Sequence, residues 1–210
     1  MDPHAFPDLG DHAIEADRLW AFAAFAFVAS ATPGPNNVIL TATGGAVGLL
    51  RGLPALFGVA IGFALMIFSI TAGLGGIVLD HPQVLAVLRW VGIAIILRLS
   101  WHIAAAPVGV ADDGRRRPAG FRRMVVFQWV NPKAWMITAS AIADYLGSES
   151  GSRAQGLTFA LIFVVAALIG SLPWLVLGAT AARFMTNATA QRAFNVAMGT
   201  LLAGSVLLLV

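Results

Sequence analysis

Two long apolar stretches of this 210-residue chain are broken at their centres by proline and asparagine, in matching places of its two halves. The first break reads Thr32-Pro33-Gly34-Pro35-Asn36-Asn37, inside an apolar run that starts near Trp20. The second reads Asn131-Pro132-Lys133, inside the run that starts near Met124. Proline has no amide hydrogen and its ring clashes with the carbonyl four residues back, so neither stretch can run through as one unbroken helix. In hydrocarbon no water meets the freed backbone groups. Such breaks persist there only when buried in protein or lining a wet cavity. Paired breaks in corresponding segments point to the binding site of a transporter built from repeats.

That reading requires a membrane, and composition supplies one. The chain is 59% hydrophobic and 11% charged, with a mean hydropathy of +0.83, whereas a soluble domain is about a quarter charged. Cysteine is absent, which removes disulfides, thiolate metal sites and cysteine nucleophiles together. The net charge of +3 stems mostly from one arginine cluster. No stacking aromatics interleave with that cluster, so nucleic acid is not a partner. His81 and His102 are isolated and form no metal set, and no cofactor is called for. An intramembrane enzyme lacks support for the same reason: no Ser-His pair or metal cluster sits at a sensible depth.

Residues 1–18 are polar and carry Asp2, Asp8, Asp11, Glu15 and Asp17. A signal peptide would begin with positive charge, so this segment reads as an acidic extramembrane tail, with a short interfacial helical turn from Asp11 to Arg18. A spanning helix needs about 20 mostly apolar residues. Six windows qualify, near 19–49, 54–79, 84–106, 122–147, 156–181 and 188–210. The first is too long for one straight span at about 1.5 Å per residue, as a helix broken at Pro33–Asn37 would be. Arg51, the Arg115–Arg117 run, Arg122, Arg123, Arg183 and Arg192 fall on one side of the membrane; Arg18, Arg89 and Arg153 fall on the other. Positive loops stay inside, so the basic loop is cytoplasmic and both termini lie outside.

The loop 107–121 separates a first three-helix unit, 19–106, from a second, 122–210. Three is odd, so the second unit crosses in the opposite sense. The expected fold is an all-α membrane protein of six transmembrane helices in two inverted three-helix repeats, the first helix of each half broken at proline.

These residues carry a resemblance. Ala31-Thr32-Pro33-Gly34-Pro35-Asn36-Asn37, the spaced glycines to Gly62, and Phe127-Gln128-Trp129-Val130-Asn131-Pro132-Lys133-Ala134-Trp135 resemble the LysE/RhtB family of amino-acid exporters. Six spans, the basic central loop and Trp90-Val91-Gly92 through Trp101 fit as well. Within that family the Thr-Pro-Gly-Pro-Asn-Asn form is similar to cysteine and O-acetylserine exporters. The resemblance implies efflux of an amino acid or derivative across the bacterial inner membrane, driven by the proton gradient. One departure stands out: Arg98, in Ile95-Ile96-Leu97-Arg98-Leu99, replaces an apolar or aromatic residue.

A zwitterionic substrate needs a partner for its carboxylate and another for its ammonium. Backbone amides at the start of the half-helix after Pro33–Asn37 favour a carboxylate. Carbonyls released by Pro33 and Pro35 accept from an ammonium or proton, Asn36 and Asn37 both donate and accept, and Gly34 permits close approach. The alternative is a structural kink with the asparagines capping the next helix. In the second break Gln128 and Asn131 share a helical face, and Pro132 opens the ladder beside Lys133. Lys133 either faces a cavity, where it meets a substrate carboxylate or the carbonyls of the first break, or snorkels to the cytoplasmic headgroups. Arg98 is a pocket cation or a side chain reaching the cytoplasmic side. Asp80 and Asp144 are the proton-coupling candidates, with a solvated loop-end acid as the bland alternative for each. Gly44, Gly48 and Gly52, then Gly58 and Gly62, recur every fourth residue and permit close helix contact within the monomer or at a homodimer face. A passive small-solute channel is the rival to an exporter.

Overall fold

Pro33 and Pro35 lack two amide donors that a continuous helix would use, and the chain divides there. In a computed structural model, which describes residues 9–75, 81–108, 119–145, 153–185 and 187–208, helix α1 (Leu9–Ala31) ends before them and α2 (Pro35–Ser69) begins after them. Helices α3 (Pro82–Ala104), α4 (Phe121–Val130), α5 (Pro132–Tyr145), α6 (Arg153–Phe184) and α7 (Ala188–Gly204) follow. The fold is all-α over the described residues. Three stretches among them are long and apolar enough to cross a membrane: Pro35–Leu74, Pro82–Ala104 and Ala154–Phe184. Asp80 and the Arg115–Arg117 run lie outside the described residues.

The interfacial turn expected from Asp11 to Arg18 is instead continuous with the first apolar segment. Helix α1 runs from Leu9 to Ala31 without interruption, because no proline or glycine pair separates the acidic residues from the apolar run.

Helix α2 is two arms joined at Gly48, whose φ of 79° lies in the left-handed region where a Cβ is strained. Gly44 and Gly52 would stand about 12 Å apart in a straight helix, yet both abut Leu175 of α6, one at its carbonyl and one at its side chain. The second arm ends in a wide turn at Ile70–Leu74.

Of the glycines expected to allow close packing, Gly44, Gly52, Gly58 and Gly62 do so within the chain, whereas a Cβ at Gly48 would meet no neighbour within 4 Å among the described residues. Gly178 of α6 lies against the carbonyl of Thr41. Gly58 meets Phe121 and Met124 of α4, and Gly62 meets Val125 and Gln128. Gly92 of α3 lies against Val130 and Pro132, so α3 backs the second break. Helix α3 also packs on α7, where the Ser100 hydroxyl donates to the Gly199 carbonyl at 2.9 Å. An aromatic cluster ties α1, α2, α5 and α6 together. Phe22 lies 4.4 Å from Phe159 and 5.5 Å from Tyr145, and Phe63 stacks on Phe163 at 4.7 Å between ring centres.

Candidate functional site

The last carbonyls of α1 have lost their helical donors, and in a membrane each must be met by protein. Thr32 donates to the Val28 carbonyl through both its amide and its hydroxyl. Asn37 Nδ2 reaches back to the carbonyls of Ser30 and Thr32, at 2.7 and 2.9 Å. Helix α6 contributes from outside the break: Trp174 Nε1 donates to the Ala31 carbonyl at 3.0 Å, and Ser171 Oγ to the Ser30 carbonyl at 3.4 Å. Two carbonyls then turn toward the second half of the chain. Lys133 Nζ donates to the Thr32 and Pro33 carbonyls, each at 3.2 Å.

The second break is a single residue. Asn131 leaves the helical conformation between α4 and α5, and Pro132 opens α5 at a position where its missing amide costs nothing. Asn131 Oδ1 accepts from the Lys133 amide at 3.1 Å, which holds the start of α5 in place. Gln128, fully buried on α4, and Asn36 exchange two amide hydrogen bonds of 2.9 and 3.1 Å. Asn131 Nδ2 also lies 3.5 Å from Asn36 Oδ1. The two breaks therefore meet, joined by Asn36 with Gln128 and Asn131 and by Lys133 with the carbonyls of Thr32 and Pro33.

Between them lies a cavity of about 20 Å³ lined by Ser30, Thr32, Gly34, Asn36, Asn37 and Lys133, with Phe63, Ile137 and Ser171 completing the wall. It holds about one water and is far too small for an amino acid. Among the described residues Ser30 Oγ and Asn37 Oδ1, on residues 8% and 3% exposed, have no hydrogen-bond partner. A buried polar atom without a partner is costly, and here both belong to residues that line one cavity. Among the described residues no carboxylate lines it, so Lys133 is the charged group of the site. A larger apolar depression on the outside of α1 and α6, lined by Phe27, Ile169, Pro173 and Trp174, offers little to a polar ligand.

Gly34 makes room for the lysine. A Cβ there would stand 2.8 Å from Lys133 Nζ and 2.9 Å from its Cδ. Gly34→Ala should therefore push the ammonium off the two carbonyls and lower transport by about tenfold to hundredfold, the scale of a misplaced binding group. In a Lys133→Ala background the same change should be silent, which a transport assay on the four variants checks.

Of the candidates read from sequence, Gly34, Asn36, Asn37 and Lys133 line the cavity. Gln128, Asn131 and Pro132 buttress it from α4 and α5. Pro33 supplies a carbonyl, and Pro35 opens α2. Arg98 is not brought there: it is exposed on α3, while Gly92, Ile93, Ile96 and Ser100 of that helix face inward. Asp144 is exposed near the end of α5. Ser30, Ser171 and Trp174 were not singled out. Their signal was a serine and a tryptophan flanking Pro173 inside an apolar run, which resembles ordinary packing.

The LysE type translocator family model matches residues 27–210. Cysteine/O-acetylserine efflux proteins are among the similar curated proteins. That of Salmonella typhimurium is 27% identical over 161 residues, covering 76% of this chain and 82% of its own. Those of Klebsiella pneumoniae and Escherichia coli O9:H4 are 27% and 25% identical, covering 75% and 76% of this chain and 80% and 82% of theirs. No solved structure matches. The match takes in both breaks and nearly all the described residues, so the chain belongs to the LysE type translocator family and is a transporter, not an enzyme.

Proposed function

We propose that this chain exports an amino acid or a small amino-acid derivative across the bacterial inner membrane. The observation that carries the reading is the contact of the two breaks around a cavity that already holds a primary ammonium, that of Lys133, on the carbonyls of Thr32 and Pro33. The start of α2 beside it favours a carboxylate. Both ends of a zwitterion thus have partners within one small site. The relatives named as cysteine and O-acetylserine exporters make those two solutes the first to test.

The architecture we infer has six spans in two inverted repeats, with the basic loop cytoplasmic and both termini outside. Each broken first helix is followed by an arm that opens with proline: Pro35 up to Gly48 in one half, and Pro132–Tyr145 in the other. Reciprocal packing supports the repeat. Gly58 and Gly62 of the second span press on α4, as Gly170 and Gly178 of the fifth span press on α1 and the first arm of α2. Transport proceeds by rocking of these halves about the site, in exchange for protons. The present cavity must widen for a substrate to enter, and Phe63, stacked on Phe163, forms part of its wall.

Reconstituted vesicles loaded with radiolabelled cysteine or O-acetylserine test this. Export should saturate and should collapse when an uncoupler removes the imposed pH difference. Linear flux indifferent to the uncoupler would instead establish a passive channel.

The Asn36–Gln128 pair gives a sharper test of the site. A double-mutant cycle with Asn36→Ala and Gln128→Ala should show a coupling of about 1–2 kcal/mol in substrate binding. Each single change strands its partner's amide, so the double variant should lose less than the sum.

A further inference from the structure

Resting on the reading above, we propose that Lys133 is an internal stand-in for the substrate's ammonium. It changes partners on binding, leaving the Thr32 and Pro33 carbonyls to the substrate ammonium and pairing with the substrate carboxylate. The site selects zwitterions because both exchanges must occur together.

The argument begins with donors and acceptors. A primary ammonium carries three N–H donors and no acceptor. Lys133 Nζ meets two carbonyls at 3.2 Å each, and Asn37, whose Oδ1 has no donor among the described residues, lines the same cavity. That oxygen cannot turn away, because Asn37 Nδ2 is held by the carbonyls of Ser30 and Thr32. The residues around the cavity therefore carry one acceptor beyond the two that the lysine uses. Gly34 lacks the Cβ that would deny the lysine its place. The cavity lined by Lys133, about 20 Å³, cannot accept an amino acid as it stands. The cavity must widen for substrate to enter, and the lysine is the charged wall that the substrate meets.

Charge then decides which solutes can move it. Among the described residues no carboxylate lines the cavity, so Lys133 has no counter-ion of the protein's own there. An amine without a carboxylate would bring a second cation into a low-dielectric site and would leave the displaced lysine unpaired. An acid without an ammonium would draw the lysine off and leave the Thr32 and Pro33 carbonyls bare. A zwitterion adds no net charge, fills the vacated carbonyls and provides the lysine with its only counter-ion. Lys133 is thus a specificity-determining residue.

Lys133 is the only lysine in the chain, so protein labelled with [ζ-15N]lysine gives one side-chain amine signal. The purified full chain would be titrated with L-cysteine, cysteamine and mercaptopropionate, and the same three solutes assayed for transport in proteoliposomes. The signal should move and saturate with cysteine, and should stay in place with either analogue at tenfold higher concentration. Lys133→Gln should bring cysteine and cysteamine to within about twofold of each other in transport. Equal shifts with cysteamine and cysteine would overturn the exchange. So would saturable cysteine export with an unmoved lysine signal, which would leave the export reading intact. Neither transport nor shift with cysteine would remove the export site as placed here, and the exchange with it.

Discussion

Replacing Lys133 with Met is expected to lower export by about tenfold to hundredfold in vesicles of matched protein content. The methionine keeps most of the apolar stem but offers no donor to the Thr32 and Pro33 carbonyls, which Nζ meets at 3.2 Å each. Hydrogen bonds to a charged group contribute about 1.5–3 kcal/mol, and each 1.4 kcal/mol is about tenfold in an equilibrium. Insertion should survive, because Asn37, Trp174 and Ser171 still hold the other break carbonyls. Export at the unaltered rate would mean that the lysine serves only to satisfy backbone, and that the substrate passes elsewhere.

Asn37→Ala should act on the fold itself. Asn37 is 3% exposed, and its amide spans the break, donating to the carbonyls of Ser30 and Thr32. Removing it leaves the Ser30 carbonyl with one long bond from Ser171 and the Thr32 carbonyl with Lys133 alone. An unmet buried acceptor costs about 1–3 kcal/mol, and in hydrocarbon no water relieves it. The unfolding midpoint in detergent should fall by several degrees, since about 1 kcal/mol shifts a domain of this size by roughly 2–4 °C. Export should be lost with it. Asn36→Ala makes a contrast: it removes the bonds to Gln128 and should impair binding more than stability.

Much of this was legible in the sequence because proline stands beside asparagine at both breaks; proline alone is not enough, since α6 runs on through Pro173 and α2 through Pro54. Pro33, Pro35 and Pro132 fixed where helices had to stop, and the amides of Asn36, Asn37 and Gln128 stood out against apolar neighbours. The meeting of the two breaks was not legible, since nothing local to residues 31–37 or 128–133 encodes a contact 92 residues away. The share of α6 was hidden for a related reason. Trp174 looks like any interfacial tryptophan until its Nε1 is seen on the Ala31 carbonyl. The depth of Arg98 in its span leaves a pocket and the cytoplasmic side both open in the sequence. A charge within an apolar segment suggests a pocket, but the inward stripe of α3 is Gly92, Ile93, Ile96 and Ser100, and position 98 falls off it. Among the described residues three stretches reach spanning length, and the second break is one reason: Asn131 divides the fourth window into helices of 10 and 14 residues.

The central claim is that the two breaks face each other and that the substrate sits where they meet. The chain has no cysteine, so a single introduced pair reports without background. With Ala29→Cys on α1 and Ile137→Cys on α5, two half-buried positions that line the cavity from opposite sides, a short bifunctional thiol reagent applied to membranes should link the two, and the link should stop export. A saturating amino acid that is exported should slow the linkage. Ready alkylation of each thiol with no linkage between them, or linkage that leaves export running, would contradict the account.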